Sequence, residues 1–200
     1  MQSDEWIKQY TNELGTRESV SGVGSTLENT IELRTALPQI FRTYGIKTMI
    51  DMPCGDWNWM KEVHASGGLQ GVSYTGYDIV PEMIASNGAK YPVAFQVHDA
   101  INDPIPPVDL VLCRDFLFHL ANDDVIKVLE HTKSAKYLLV TTFPGVVNTD
   151  LPQGYTTIGW RKINLCGRPF NLPEPEYIVQ ENDSPSCMSR IVGLFRRTTC

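Results

Sequence analysis

The sequence predicts an α/β fold: a doubly wound, mostly parallel seven-stranded sheet whose last strand runs antiparallel. Three observations carry that expectation. Short apolar runs alternate with helical patterns between residues 48 and 142. The ends of four successive runs carry an acidic residue: Asp51, Asp78, Asp99 and Asp115. Two further strand-like runs lie close together near the C-terminus, which suggests a hairpin at the sheet edge.

Taken in order, the chain begins with a short polar helix from Asp4 to Leu14, stopped at Gly15. A Gly/Ser loop follows, Ser19 to Ser25. Residues Thr26–Tyr44 carry Leu27, Ile31, Leu37, Ile40 and Phe41 at helical spacing, with Gly45 as a stop. Pro38 inside this segment predicts a kink or a division. Residues 1–45 therefore read as a helical cap that covers a ligand site from above. The first strand is Thr48–Met52, and its helix is Trp57–Ala65. The second strand is Ser73–Ile79, and Pro81 stands at a helix start. The third is Val93–Val97. The fourth is Val108–Cys113, followed by a helix through Val125, Val128 and Leu129 that Asn122 or Asp123 would cap. The fifth, Lys136–Thr142, is apolar enough for a sheet centre. Residues 144–175 are too long for a plain connector and read as a functional lid or substrate loop, called the acceptor loop below. The last strands are Glu176–Glu181 and Ser189–Arg196. Residues 1–200 read as one domain.

Composition narrows the function. A formal net charge of −6 argues against a nucleic-acid partner, which would need a basic face. No apolar run approaches 18 residues, so no membrane span is expected. The polar start MQSDEWIKQY lacks the basic-then-apolar pattern of a signal peptide, so none is expected there. Five cysteines without CxxC spacing fit reduced thiols and a cytoplasmic location. No HxH or HExxH spacing is present; Asp115 could join a divalent-ion site, but the sequence identifies no partners for it, so no metal site is assigned.

The chemistry centres on Thr48–Trp59, TMIDMPCGDWNW. A buried strand that stops in a tight acidic turn reads as a ligand loop at the carboxyl end of a parallel sheet. Gly55 lets backbone approach closely, or takes positive φ. Asp56 at the helix opening would repel a phosphate, so a dinucleotide fits poorly. An acidic helix cap on an ordinary strand remains the plain alternative.

This stretch resembles motif I of the class I S-adenosylmethionine (SAM) dependent methyltransferases. Asp51 matches the acidic position and Gly55 one glycine; Pro53 and Asp56 stand where glycines often stand. The resemblance implies a Rossmann-like fold and SAM as cofactor. It implies that the loop of Asp51, Pro53 and Gly55, with Trp57, holds the methionine portion. Asp78 follows Gly55 by about 20 residues, the spacing for a carboxylate that accepts ribose hydroxyls. Ile79 would pack on adenine, Asp99 would reach its amino group, and Ala100 and Arg114 complete the cofactor set.

The stretch Cys113–Leu120, CRDFLFHL, stands where these enzymes place motif IV, beside the transferred methyl group. An alcohol acceptor must lose a proton, and His is a suitable base near neutral pH. His119 lies four residues after Asp115, so a helical turn would put both on one face. His119 is the expected general base, with Asp115 orienting it or contacting the acceptor. The alternative is a histidine satisfied within its turn. His64, His98 and His131 read as bystanders.

The stretches GVGSTLENTIELRTALP, IDMPCGDWNWM, CRDFLFHL, WRKINL and RPFNLPEPE together resemble methyltransferases associated with polysaccharide and glycan assembly. They also resemble the methyltransferase portion of chlorovirus multidomain glycosyltransferases. The resemblance implies O-methylation of a sugar hydroxyl, such as that of rhamnose, and a link to glycosyltransferase domains. Trp160, Arg161 and Asn164 would then shape the carbohydrate pocket. Loop anchoring by Trp160 and Phe170 is the alternative. A protein, RNA or metabolite methyltransferase, and a SAM-binding module without catalysis, stay open.

Overall fold

The computed structural model of the chain describes residues 18–151, 159–181 and 190–197. The expected helix Asp4–Leu14 and the turn 182–185 lie outside the described residues. Seven strands form one sheet in the order β3-β2-β1-β4-β5-β7-β6. They are β1 (Thr48–Asp51), β2 (Ser73–Asp78), β3 (Ala94–Val97), β4 (Val108–Cys113), β5 (Ala135–Thr142), β6 (Tyr177–Gln180) and β7 (Ile191–Arg196). β1 to β5 pair in parallel. β7 inserts antiparallel between β5 and β6. The expected fold class holds, and strand limits differ from the sequence reading by at most two residues.

The central strands alternate sides, so one sheet supports two cores. Leu110 and Leu112 of β4 face the core shared with Leu33, Leu37, Ile40 and Met49. Val111 and Cys113 face the other, with Val125, Val128, Leu138 and Phe195. In β5 every residue except Lys136 is buried, as a strand covered on both faces requires.

Helix α1 (Ile31–Tyr44) is preceded by single 3₁₀ turns at Val23–Ser25 and Glu28–Thr30. Two expectations are corrected here. Pro38 does not divide the segment; the helix runs through it. Ile31 is 47% exposed, and the buried stripe is Leu33, Leu37, Ile40 and Phe41. Gly45 ends the helix with φ 65°, a left-handed conformation that glycine takes without a Cβ penalty.

Helix α2 (Met60–Ala65) is shorter than expected. Trp57 is not its first residue: it lies in the loop with φ 59°, which turns its ring into the core. There it packs against Tyr91 at 4.5 Å, with Tyr74, Phe95 and His64 around it. Helix α3 (Pro81–Lys90) starts on Pro81 as expected. Helix α4 (Asn122–His131) has Ala121 at its cap position, not Asn122 or Asp123. The missing cap comes from far along the chain: the Asn122 amide donates to Asp150 Oδ1 at 2.9 Å. Among the described residues no helix is long and apolar enough to cross a membrane.

Candidate active site

Parallel strands point their carboxyl ends one way, so Asp51, Asp78, Asp99 and the Arg114-Asp115 pair fall along one edge of the sheet. Asp51 ends β1, buried, and accepts a hydrogen bond from the Tyr74 hydroxyl at 2.7 Å. Burial pushes its carboxyl up to about 7, with Asp78 adding to the rise and Tyr74 and Arg114 opposing it. Asp78 ends β2. Its Oδ2 accepts from the Gly55 amide at 3.0 Å and its Oδ1 from the Val80 amide at 3.1 Å. Burial pushes this carboxyl up to about 6 despite those donors. The Gly55 carbonyl accepts from Asn87 Nδ2 at 2.8 Å, which ties the turn to α3.

Gly55 has φ 54°, and a Cβ there would lie 2.3 Å from Ser21 Oγ. Close approach and a left-handed backbone both demand glycine. The atom it approaches belongs to the cap. Ser19 Oγ, the Val20 amide and Ser21 Oγ all donate to the Asp56 carboxylate, at 3.1, 2.8 and 3.1 Å. The Asp56 amide donates back to Ser21 Oγ at 2.9 Å. Asp56 is thus a latch for residues 19–21. The same loop reaches Asp115: a Cβ on Gly24 would lie 2.5 Å from its Oδ2.

Pro53 and Ile79 are half-buried at this edge. Trp57, expected among the cofactor residues, is 1% exposed and packed in the core, so it does not line the crevice. Asp99 caps its own turn, accepting from the Ile101 amide at 2.9 Å and Asn102 Nδ2 at 2.8 Å. Ala100 is buried beside it, and its carbonyl lies 3.3 Å from His131 Nδ1.

At the end of β4, Arg114 joins a cluster of four charges in which Arg114 and Glu181 are buried and Asp115 and Arg190 are partly buried. Its Nε meets Glu181 Oε1 at 2.8 Å and its Nη1 meets Asp115 Oδ2 at 3.1 Å. Arg190 closes the cluster on Asp115 Oδ2 at 3.2 Å and Glu181 Oε2 at 2.8 Å. Two cations and two anions cancel, which makes burial of the group tolerable. Thr141 Oγ1 donates to Asp115 Oδ1 at 3.1 Å and accepts from the Asp115 amide at 2.9 Å. Arg114 was expected among the cofactor residues; its guanidinium is engaged by Glu181, Asp115 and the Asn29 carbonyl.

The helical turn expected between Asp115 and His119 is absent. Asp115 has φ 51°, and only Leu117–His119 forms a 3₁₀ turn. The His119 ring is instead held from the acceptor loop, where its Nδ1 pairs with the Gly159 carbonyl. A carbonyl can only accept, so Nδ1 carries the proton and Nε2 the lone pair of the neutral ring. Burial lowers the His119 pKa, and Arg161 adds to that; Gly159 and Asp115 act the other way.

In the acceptor loop the three expected pocket residues divide. Trp160 is 51% exposed, its ring edge-on to Phe118 and Phe143 at 6.0 and 6.1 Å. Arg161 is buried, and its guanidinium donates to the carbonyls of Thr149, Phe118 and Leu120 and to Asn122 Oδ1. Asn164 cross-braces the loop: its amide donates to Asn148 Oδ1 at 2.7 Å, and its carbonyl accepts from Asn148 Nδ2 at 2.8 Å. Ile163 and Leu165 lie fully buried under the brace. Arg161 and Asn164 therefore hold the loop down, while Trp160 faces outward.

Several site residues went unnoticed in the sequence. The Ser19 and Ser21 hydroxyls looked like linker. Asn87 lay inside a helix pattern, and Glu181 at the end of a strand pattern. An acid at the end of an apolar strand was the one available signal for Glu181. Nothing local marked the Gly159 carbonyl.

No family model matches the sequence, and no curated protein matches it. Solved structures share its fold. A Burkholderia thailandensis 1,6-didemethyltoxoflavin-N1-methyltransferase with bound S-adenosylhomocysteine matches with a TM-score of 0.64 at 15% identity, over 98% of this chain and 87% of that one. Magnesium protoporphyrin IX methyltransferase from Synechocystis PCC 6803 with bound SAM gives 0.56 at 12%, over 96% and 90%. Human N-acetylserotonin methyltransferase in complex with SAM gives 0.53 at 17%, over 94% and 62%. The architecture is the Rossmann-like fold of SAM-dependent methyltransferases.

Proposed function

We propose that this chain is a SAM-dependent O-methyltransferase that methylates a sugar hydroxyl, with His119 as general base. One observation carries the reading. A histidine with its Nδ1 proton committed to a backbone carbonyl stands beside an exposed tryptophan, on the sheet edge that carries Asp51 and Asp78.

The residues fit the cofactor chemically. The Asp78 oxygens accept the Gly55 and Val80 amides, with that of Ile79 near them, and the remaining lone pairs of the carboxylate can accept the hydroxyls of a ribose diol. Asp51 and Asp78 are carboxylates that burial makes costly to ionise, so a cationic ligand that favours their charged form gains from both. Asp78 is 2% exposed, so a ligand must part the segments over it; the Asp56-latched residues 19–21 are the natural ones to move. Bound SAM would supply an electrophilic methyl group.

The chain's own residues do the rest. His119 Nε2 takes the proton of the acceptor hydroxyl. Trp160 receives the apolar face of the sugar, and the buried surroundings keep His119 neutral near pH 7. Asp115 holds negative charge near the ring within its own ion-pair cluster. Rhamnose in a glycan, and glycosyltransferase domains as neighbours, follow from the sequence resemblance alone. Buried thiols at Cys54 and Cys113 suit a reducing cytoplasm. A small aromatic metabolite is the second reading, favoured by Trp160 and by the small-molecule acceptors of the structural neighbours.

The test is calorimetric titration with SAM and, separately, with NADH, followed by methyl transfer onto rhamnose-containing glycans and small phenols. Micromolar SAM binding is expected. His119→Gln should then lower turnover by about 10²–10⁴-fold with SAM affinity intact. NADH binding in place of SAM would sink the reading.

A further inference from the structure

We propose that Arg161 is a positioning residue: it clamps the acceptor loop onto the His119 turn, so that the Gly159 carbonyl of a seated loop sets the tautomer of the base. The inference rests on the reading of His119 as base. It assigns a role in that chemistry to a residue whose guanidinium is turned to the oxygens of the loop and of the His119 turn.

The geometry is specific. The Arg161 amide donates to the Phe118 carbonyl at 3.2 Å. Its Nη1 reaches the same carbonyl at 3.5 Å and also donates to the Leu120 carbonyl. Those two carbonyls flank His119 on either side. Nη2 donates to Asn122 Oδ1 at 2.8 Å, and Nε to the Thr149 carbonyl at 2.8 Å. One planar fork thus ties both limbs of the loop to the turn that carries the base. Asp150 repeats the tie by accepting from the Asn122 amide.

The order of residues makes the clamp consequential. Gly159 orients the imidazole, Trp160 offers the exposed ring, and Arg161 fixes both, in three consecutive positions. A loop that leaves its seat takes Gly159 away, and with it the acceptor that keeps the proton on Nδ1; a proton on Nε2 blocks the basic nitrogen. Activation of the base and formation of the acceptor platform become one event.

Charge reinforces the clamp. The hydrogen bonds of the guanidinium go to neutral oxygens. Its charge therefore acts on His119, lowering the ring's pKa alongside burial, against Asp115 at the end of β4 and the Gly159 carbonyl. Asp150 is the carboxylate that acts on Arg161 itself.

The experiment is ¹⁵N NMR titration of the histidine rings in the full chain, without ligand. In the wild type His119 should show the Nδ1–H tautomer and a midpoint below the ordinary histidine value of about 6.5. Arg161→Met should give a tautomer mixture. Its kcat should fall about 10–100-fold with the Kd for SAM moved less than about twofold. Arg161→Lys keeps the charge but not the fork, so its tautomers should mix as well. Arg161→Lys carries the test alone if the methionine variant does not fold: mixing supports the clamp, and a single Nδ1–H tautomer overturns it. An unchanged ring in Arg161→Met overturns it equally. Full turnover in His119→Gln would sink the base assignment instead, and the ring measurement would still report on the clamp.

Discussion

The two halves of the candidate site are built by different means. The cofactor half hangs on the ends of β1, β2 and β3. Its acids are strand-end residues, and its hydrogen bonds, such as Gly55 to Asp78, join adjacent strands. The acceptor half hangs on a loop. His119 is oriented by Gly159, 40 residues on, and the loop is held by Arg161 and by the Asn148–Asn164 brace. Strand ends are placed by the sheet whatever the ligand. A loop held by side chains can be reshaped without disturbing the sheet. One scaffold can therefore keep its cofactor and change its acceptor.

If the halves are separable, each should fail alone. The largest expected effect is in the cofactor half. Asp78→Ala removes acceptors for two hydroxyls, and hydrogen bonds to a charged group are worth about 1.5–3 kcal/mol each, so SAM affinity should fall at least about 100-fold. Calorimetry measures this, and the acceptor loop should keep its protection in hydrogen exchange. Loss of loop protection in Asp78→Ala would break the comparison.

A smaller effect is expected on the other side. Trp160→Ala should raise the acceptor KM about tenfold through lost stacking, with SAM affinity unchanged. Steady-state kinetics and a SAM titration on the same variant check it. A matching loss of SAM affinity would mean that the halves are coupled.

The smallest effect is a pH response confined to the cofactor half. Asp78, with its carboxyl pushed up to about 6, should be about one-quarter ionised at pH 5.5, so SAM should bind about fourfold more weakly there than at pH 8. Asp51, at about 7, acts in the same direction. Stability without ligand should run the opposite way. Both groups hold protons more tightly folded than unfolded, so their contribution is complete below the ordinary aspartate range near pH 4 and is lost as pH rises through 6 to 7. Thermal melts from pH 5 to 8 should therefore show falling stability without SAM and a growing SAM-induced shift. A flat profile in both would show that these carboxylates do not govern binding.

Legibility followed the range of the interactions. The places of Asp51 and Asp78 at strand ends and of Gly55 in its turn were readable because a strand, its terminal acid and a tight turn are written within a few residues. The two terminal strands were readable as a hairpin for the same reason. Trp57 was misplaced because one positive φ sent its ring into the core. Ile31 fitted the helical stripe by spacing and fell outside it by rotation. Asp56 looked like a charge that repels phosphate, and its role as latch needed Ser19 and Ser21, more than 30 residues away. Arg161 and Asn164 suited a sugar pocket by residue type. Their partners at Phe118, Leu120 and Asn148 gave them to the loop instead.

By itself the sequence determined the sheet, its strand ends and the acids they carry, because hydrophobic period and turn chemistry are local. Only the tertiary structure decided which side chains face the crevice, what latches the cap and what orients His119. Those outcomes depend on hydrogen bonds between residues tens of positions apart, which no local pattern encodes.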